Sequence, residues 1–203
     1  MDKEKPISKL YEEYIKEYKD REVVLGEGNV DSLLMLVGEA PGKEEVRLSR
    51  PFVGMAGKNL DEFLNILGMD RNELYITNAI KYRLSKINPK TGRLVNRPAT
   101  MEEIQKNREY LIKEILIINP RYIVTLGNVP LKAITGENNI KIGDVHGEVR
   151  KQLLMDREYK LFPLYHPASI IYDRSLRETY IKDIEKLKKI LRGDLSEYGA
   201  KAK

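Results

Sequence analysis

Four short apolar runs, spaced along the chain with helical patterns between them, are the feature that most limits how this sequence can fold. They are Leu33–Gly38 (LLMLVG), Leu74–Asn78 (LYITN), Tyr122–Gly127 (YIVTLG) and Lys160–His166 (KLFPLYH). Each is short and rich in branched or aromatic residues, as strands buried on both faces are. Between them, Ala56–Leu67 carries Leu60, Phe63, Leu64 and Leu67 at spacings of three and four, which is one face of a helix. Met101–Ile118 repeats the pattern with Ile104, Leu111, Ile112 and Ile115, and Thr100 with Glu103 forms a capping box at its start. Val129–Thr135, Leu176–Leu191 and Tyr11–Tyr18 complete the helices. Strands alternating with helices predict an α/β fold: a three-layer αβα domain around a central four-stranded parallel sheet. The 203 residues suit one domain, with 1–24 as a peripheral helical arm and 193–203 as a tail.

In such sheets the ligand crevice lies beyond the carboxyl ends of the strands. That rule gathers Gly38–Gly42, Asn78 and His166 at one edge, although they are far apart in the chain. Gly38-Glu39-Ala40-Pro41-Gly42 forms a tight turn after the first strand and holds a carboxylate at the sheet edge, where it could position or deprotonate a water. Phosphate cradles use similar turns, but neither GxxxxGK[ST] nor GxGxxG is present. Phe52, between Pro51 and a glycine-rich stretch, can offer a flat face to a base. Asn78 ends the second strand, and its amide presents one acceptor and two donors in a plane. His166 opens the segment HPASIIY, read as an uncharged loop able to enter a base stack. Each residue taken alone also fits an ordinary structural part: a strand-end turn, a core anchor, a closing asparagine, a histidine satisfied by backbone.

Composition narrows the chemistry. The chain has no cysteine, which removes disulfides, thiol nucleophiles and every cysteine-ligated metal site. With only His146 and His166 there is no histidine cluster, so no metal is expected. The net charge of +5 is concentrated: from Ala79 to Met101 stand Lys81, Arg83, Lys86, Lys90, Arg93 and Arg97 with no acid among them, as suits a polyphosphate partner or a solvated loop. Ser85–Ala99 reads as a long loop, with turn signals at Asn88-Pro89 and Thr91-Gly92. The polar amino terminus resembles neither a signal peptide nor a membrane span, so a cytoplasmic address is expected, and a monomer is taken as the default.

Together these segments resemble the family 4 uracil-DNA glycosylases. The family's first motif, GEAPGxxEDxxGxPFVGxAG, is met from Gly38 to Gly57 by GEAPGKEEVRLSRPFVGMAG, with Val46 in place of Asp and Ser49 in place of Gly. Its TNxxKC element is similar to Thr77–Tyr82, its NRxPTxEE element to Asn96–Glu103, and its LG, HG and HPA elements to Leu126-Gly127, His146-Gly147 and His166-Pro167-Ala168. A related uracil-binding branch that crosslinks to DNA through a histidine is set aside, because the basic insert Lys81–Arg97 has none.

The resemblance implies roles. Glu39 orients or activates the water, the backbone at Gly38, Glu39 and Ala40 contacts the base, and Phe52 stacks on uracil. Asn78 reads the Watson–Crick edge, His166 stabilises the anionic leaving group, and Glu45 is a second nearby carboxylate. Lys81, Arg83, Lys86 and Arg97, with Ser169, Ile170 and Ile171, contact DNA. His146 shapes a turn. The resemblance also implies four cysteines around a 4Fe–4S cluster. Their places fall near Tyr11, Tyr14, Tyr82 and Asn107, so packed side chains are expected where the cluster would be. The implied activity is hydrolysis of the deoxyuridine glycosidic bond in single- or double-stranded DNA, leaving an abasic site. Alternatives are a weak or inactive DNA- or uracil-binding member, a glycosylase for another deaminated base such as hypoxanthine, and an unrelated nucleotide-binding α/β protein.

Overall fold

The computed structural model describes residues 2–172 and 175–201, with the side chains of 170–172 and 195–201 excepted. The four apolar runs form β2 (Leu34–Gly38), β3 (Tyr75–Asn78), β6 (Tyr122–Leu126) and β8 (Arg157–Leu164). They lie parallel in the order β3-β2-β6-β8. Two antiparallel edge strands extend them to a mixed sheet of six: β1 (Glu27–Gly28) beside β3, and β7 (Arg150–Leu154) beside β8. Both edges escaped the sequence reading. β1 is two residues long, and β7 (RKQLL) mixes charged and apolar side chains.

Side chains on successive strand residues point to opposite faces, and the core divides accordingly. Met35, Val37, Tyr75, Ile123 and Leu161 pack beneath α1 (Glu4–Glu17), α4 (Met101–Ile118), α5 (Asn128–Thr135) and α6 (Ile142–Val145). Leu34, Leu36, Ile76, Val124 and Phe162 pack against α3 (Gly54–Leu67) and α8 (Ser175–Lys201). α4 begins as expected, Thr100 Oγ1 accepting from the Glu103 amide at 3.2 Å and Glu103 Oε2 accepting from the Thr100 amide at 2.9 Å.

Two local expectations are corrected. Ser85–Ala99 is not a plain loop. Its first part is an antiparallel hairpin of β4 (Ser85–Ile87) and β5 (Leu94–Asn96), and the two turn signals lie at its tip. The segment after His166 is a short helix, α7 (Pro167–Tyr172), with proline at its first position, where a missing N–H costs nothing.

A tyrosine cluster joins α1, α4 and the chain after β3. Tyr14 hydroxyl bonds Asn107 Oδ1 at 2.5 Å, and Asn107 Nδ2 donates to Tyr82 hydroxyl at 3.3 Å. The Tyr14, Tyr18 and Tyr82 rings lie 4.5 and 5.0 Å apart in sequence. Three of the four places implied for cysteine therefore meet. Tyr11 turns instead to Tyr75 and Glu114. Phenols and an amide offer no thiolate to iron, and their hydrogen bonds are already made within the protein, so these residues do not fit a cluster.

Candidate active site

β2 and β3 end side by side, with Gly38 and Asn78 as register partners. The chain leaves β2 towards β3 on one side, while β6 pairs on the other, so the strand order reverses here and a crevice opens beyond the strand ends. The crevice is a cleft of about 450 Å³ lined by Glu39, Phe52, Asn78 and His166, with Glu45 and Asn96 beside them. A second cleft of about 590 Å³ shares Glu39, Asn96 and His166 and continues past Arg97, Pro98 and Ser169.

Gly38 must be glycine. A Cβ there would press on Asn78 Oδ1 and stand 2.6 Å from the Phe52 ring, so ring and carboxamide close directly over bare backbone. Phe52 is 6% exposed and holds φ at 51°, a left-handed conformation disfavoured for an aromatic residue. Arg71 keeps it there, donating to Pro51 O at 2.6 Å and Phe52 O at 3.0 Å while pairing with Glu27 at 2.8 Å. Arg71 and Asn96 were missed as site residues, since nothing near Arg71 in the sequence indicates that it holds a loop 19 residues away. Ser49, standing where the resemblance has glycine, is also left-handed, at φ 50°.

The titratable groups are set apart by burial. Burial raises the Glu39 carboxyl above its ordinary value, with the Ala99 amide donating to Oε1 at 3.0 Å as a partial offset. Burial lowers His166, so its imidazole is neutral at neutral pH. His166 Nδ1 accepts from the Ala168 amide at 3.1 Å, which leaves the proton on Nε2 as a donor. The Asn78 carboxamide has no hydrogen-bond partner among the described residues. Glu45 is 8% exposed and folds back to accept from the Gly42 amide at 3.1 Å, at the start of α2 (Lys43–Leu48).

Lys81 does not contact phosphate as expected. It is 1% exposed, pairs with Glu114 at 2.7 Å and donates to the Asn78 carbonyl at 3.1 Å. Its burial follows from a partner 33 positions away. Arg97 lines the groove but is held bidentate by Glu103 at 2.6 and 2.8 Å. Arg83 donates to Asn96 Oδ1 at 3.1 Å, and Lys86 is exposed. Ser169 lines the groove, while the side chains of Ile170 and Ile171 lie outside the described residues. His146 is bonded to Asp183 at 2.7 Å and has no place in either cleft.

A further cleft of about 400 Å³ opens at the opposite end of the sheet, near Ser32, Tyr122 and Asp194. Its three acids are already engaged: Asp194 by Lys160 at 2.8 Å, Arg121 at 3.0 Å and Tyr122, Asp31 by Lys3 at 3.1 Å, and Glu73 by the Asp70 amide at 2.6 Å.

Residues 25–191 match the model of the uracil DNA glycosylase superfamily, and the chain belongs to it. Within it the chain is similar to type-4 uracil-DNA glycosylases. It is 38% identical to that of Pyrobaculum aerophilum over 81% of each chain, and 37% identical to that of Thermotoga maritima over 84% of this chain and 83% of the other. It is also 31% identical, over 83% of its length, to 17% of a DNA polymerase of Bacillus phage SP01. No helix among the described residues is long and apolar enough to cross a membrane.

Proposed function

We propose that this protein is a monofunctional uracil-DNA glycosylase that hydrolyses the N-glycosidic bond of deoxyuridine in DNA. The observation that carries the reading is the convergence of Glu39, Phe52, Asn78 and His166 on one cleft. An extruded uracil would lie against Phe52, with Asn78 accepting from its N3–H and donating to O4. As the bond between N1 and C1′ breaks, its electron pair moves into the base and negative charge gathers on O2. The Nε2–H of a neutral His166 donates to that oxygen. The sugar becomes cationic, water held by Glu39 attacks C1′ and passes its proton to the Glu39 carboxylate, and the uracil anion takes up a proton as it leaves while Glu39 returns its own to solvent. Base and abasic sugar are the products. No lysine lines the cleft at a place suited to a Schiff base: Lys43 belongs to α2, beyond the turn, and Lys81 is locked to Glu114. Arg83, Lys86, Arg97 and Ser169 flank the path of the strand.

The test is incubation with uracil-containing single- and double-stranded oligonucleotides followed by alkali. The intact chain should yield breaks at uracil. Glu39→Ala should lower the single-turnover rate by about 10²–10⁴-fold, the usual contribution of a positioned acid–base group. Breaks no more frequent than with a Glu39→Ala, Asn78→Ala double variant would overturn the reading.

A further inference from the structure

The hairpin of β4 and β5 carries two of the most exposed large apolar side chains of the described residues: Ile87 at 67% and Leu94 at 58%. They are not scattered. Ile87 and Leu94 are register partners, as are Ser85 and Asn96, with the pair Lys86 and Val95 between. Alternation along each strand puts Ile87, Leu94, Ser85 and Asn96 on one face of the ribbon. Asn96 lines both clefts. The apolar pair therefore lies two residues, about 7 Å at the usual rise per residue, beyond a residue already at the pocket mouth, and on the same face. Arg83 fixes that residue by donating to Asn96 Oδ1 at 3.1 Å. Lys86, Lys90 and Arg93 are exposed around the hairpin and form no ion pair among the described residues. The tip is closed by Asn88, whose amide donates to Arg93 O at 2.8 Å and whose carbonyl accepts from the Gly92 amide at 2.8 Å.

We propose that this face is a second subsite, which takes the base of the nucleotide next to the extruded one on the same DNA strand. The proposal rests on the glycosylase reading for what occupies the first cleft. An apolar pair on a narrow ribbon matches the flat face of an unstacked base, as aliphatic wedges do elsewhere. Lys90 at the tip, with Lys86 and Arg93 on the ribbon's other face, brings positive charge to the phosphates on either side of it, and the groove past Arg97 and Ser169 meets the ribbon at Asn96. Extruding a nucleotide leaves its neighbour without a stacking partner; Ile87 and Leu94 supply one.

The test measures binding rather than cleavage. Fluorescent single-stranded oligonucleotides carry 2′-fluorodeoxyuridine, whose glycosidic bond resists hydrolysis. The flanking nucleotide is either normal or replaced by an abasic spacer, on the 5′ or the 3′ side. The Ile87→Ser, Leu94→Ser variant changes only exposed side chains, and an unchanged melting midpoint checks that it folds. It should bind the normal oligonucleotide about five- to tenfold more weakly, the scale expected for exposing part of two aliphatic side chains. With the spacer on one of the two sides it should bind like the parent. Equal loss on every oligonucleotide, or no loss, would overturn the subsite. So would a parent dimer that the variant turns into a monomer, since the pair would then cover a second copy of the chain. A chain that shows the spacer pattern but never releases uracil keeps the subsite and loses the catalytic reading; one that releases uracil without the pattern does the reverse.

Discussion

Two polar assemblies flank the segment Asn78–Tyr82, and they are built on opposite plans. On one side, Asn107 bonds both Tyr14 and Tyr82, and Lys81, Glu114, Tyr11, Tyr75 and Thr77 form a second set, joined to the first where the Lys81 amide donates to the Tyr14 hydroxyl. On the other side, Asn78 has no bonded side-chain partner among the described residues, Glu39 has one backbone amide, and His166 keeps a donor free. Both are largely buried. Buried polar groups are normally satisfied within the protein, as in the closed set, whereas the open set lies at the mouth of a cleft where solvent or a ligand can reach it. The two meet at Lys81, which fixes the carbonyl of the residue whose side chain is open.

The largest effect that would break this contrast lies in the closed assembly. Glu114→Ala leaves a buried ammonium without its partner, and it should cost about 3–5 kcal/mol of unfolding free energy in urea titration. Lys81→Met combined with Glu114→Gln should recover much of that. A change below about 1 kcal/mol for Glu114→Ala would mean that the pair is solvated in solution. Tyr14→Phe removes one hydroxyl from a bonded network and should cost about 1–3 kcal/mol, since Asn107 is left short of a partner.

The smallest effect is expected in the open assembly, and it has the opposite sign. Burial raises the folded-state pKa of Glu39 above 4.5. The ionised carboxylate therefore weakens the fold. That penalty is absent below pH 4.5 and grows as the pH climbs through the raised value. Glu39→Gln should be more stable than the parent at neutral pH, by roughly 0.5 kcal/mol, with the two melting midpoints converging in acid. Excision by the parent should fall as the pH drops through the same window, because Glu39 then loses its charge. A Glu39→Gln variant less stable than its parent at pH 7 would place Glu39 among the structural groups.

The parallel strands were legible because each is an unbroken apolar run bounded by turn residues, and the pocket followed from them through the rule that ligands gather at strand ends. The hairpin was not legible. Its strands are three residues long, and Ile87 and Leu94 face solvent, so no contrast between a buried and an exposed face marks them. Lys81 was misread for a different reason: within a run of cations, only the fold reveals that one of them turns inward to an acid on α4. The helix after His166 had its sign in Pro167, a residue common at the first helical position.

A scaffold closed by phenols and an amide, in a chain without a single thiol, is held together without a cysteine-ligated cluster. No metal–thiolate bond can take part in the junction between α1, β3 and α4, so a chelator has no cysteine-bound metal to remove from it.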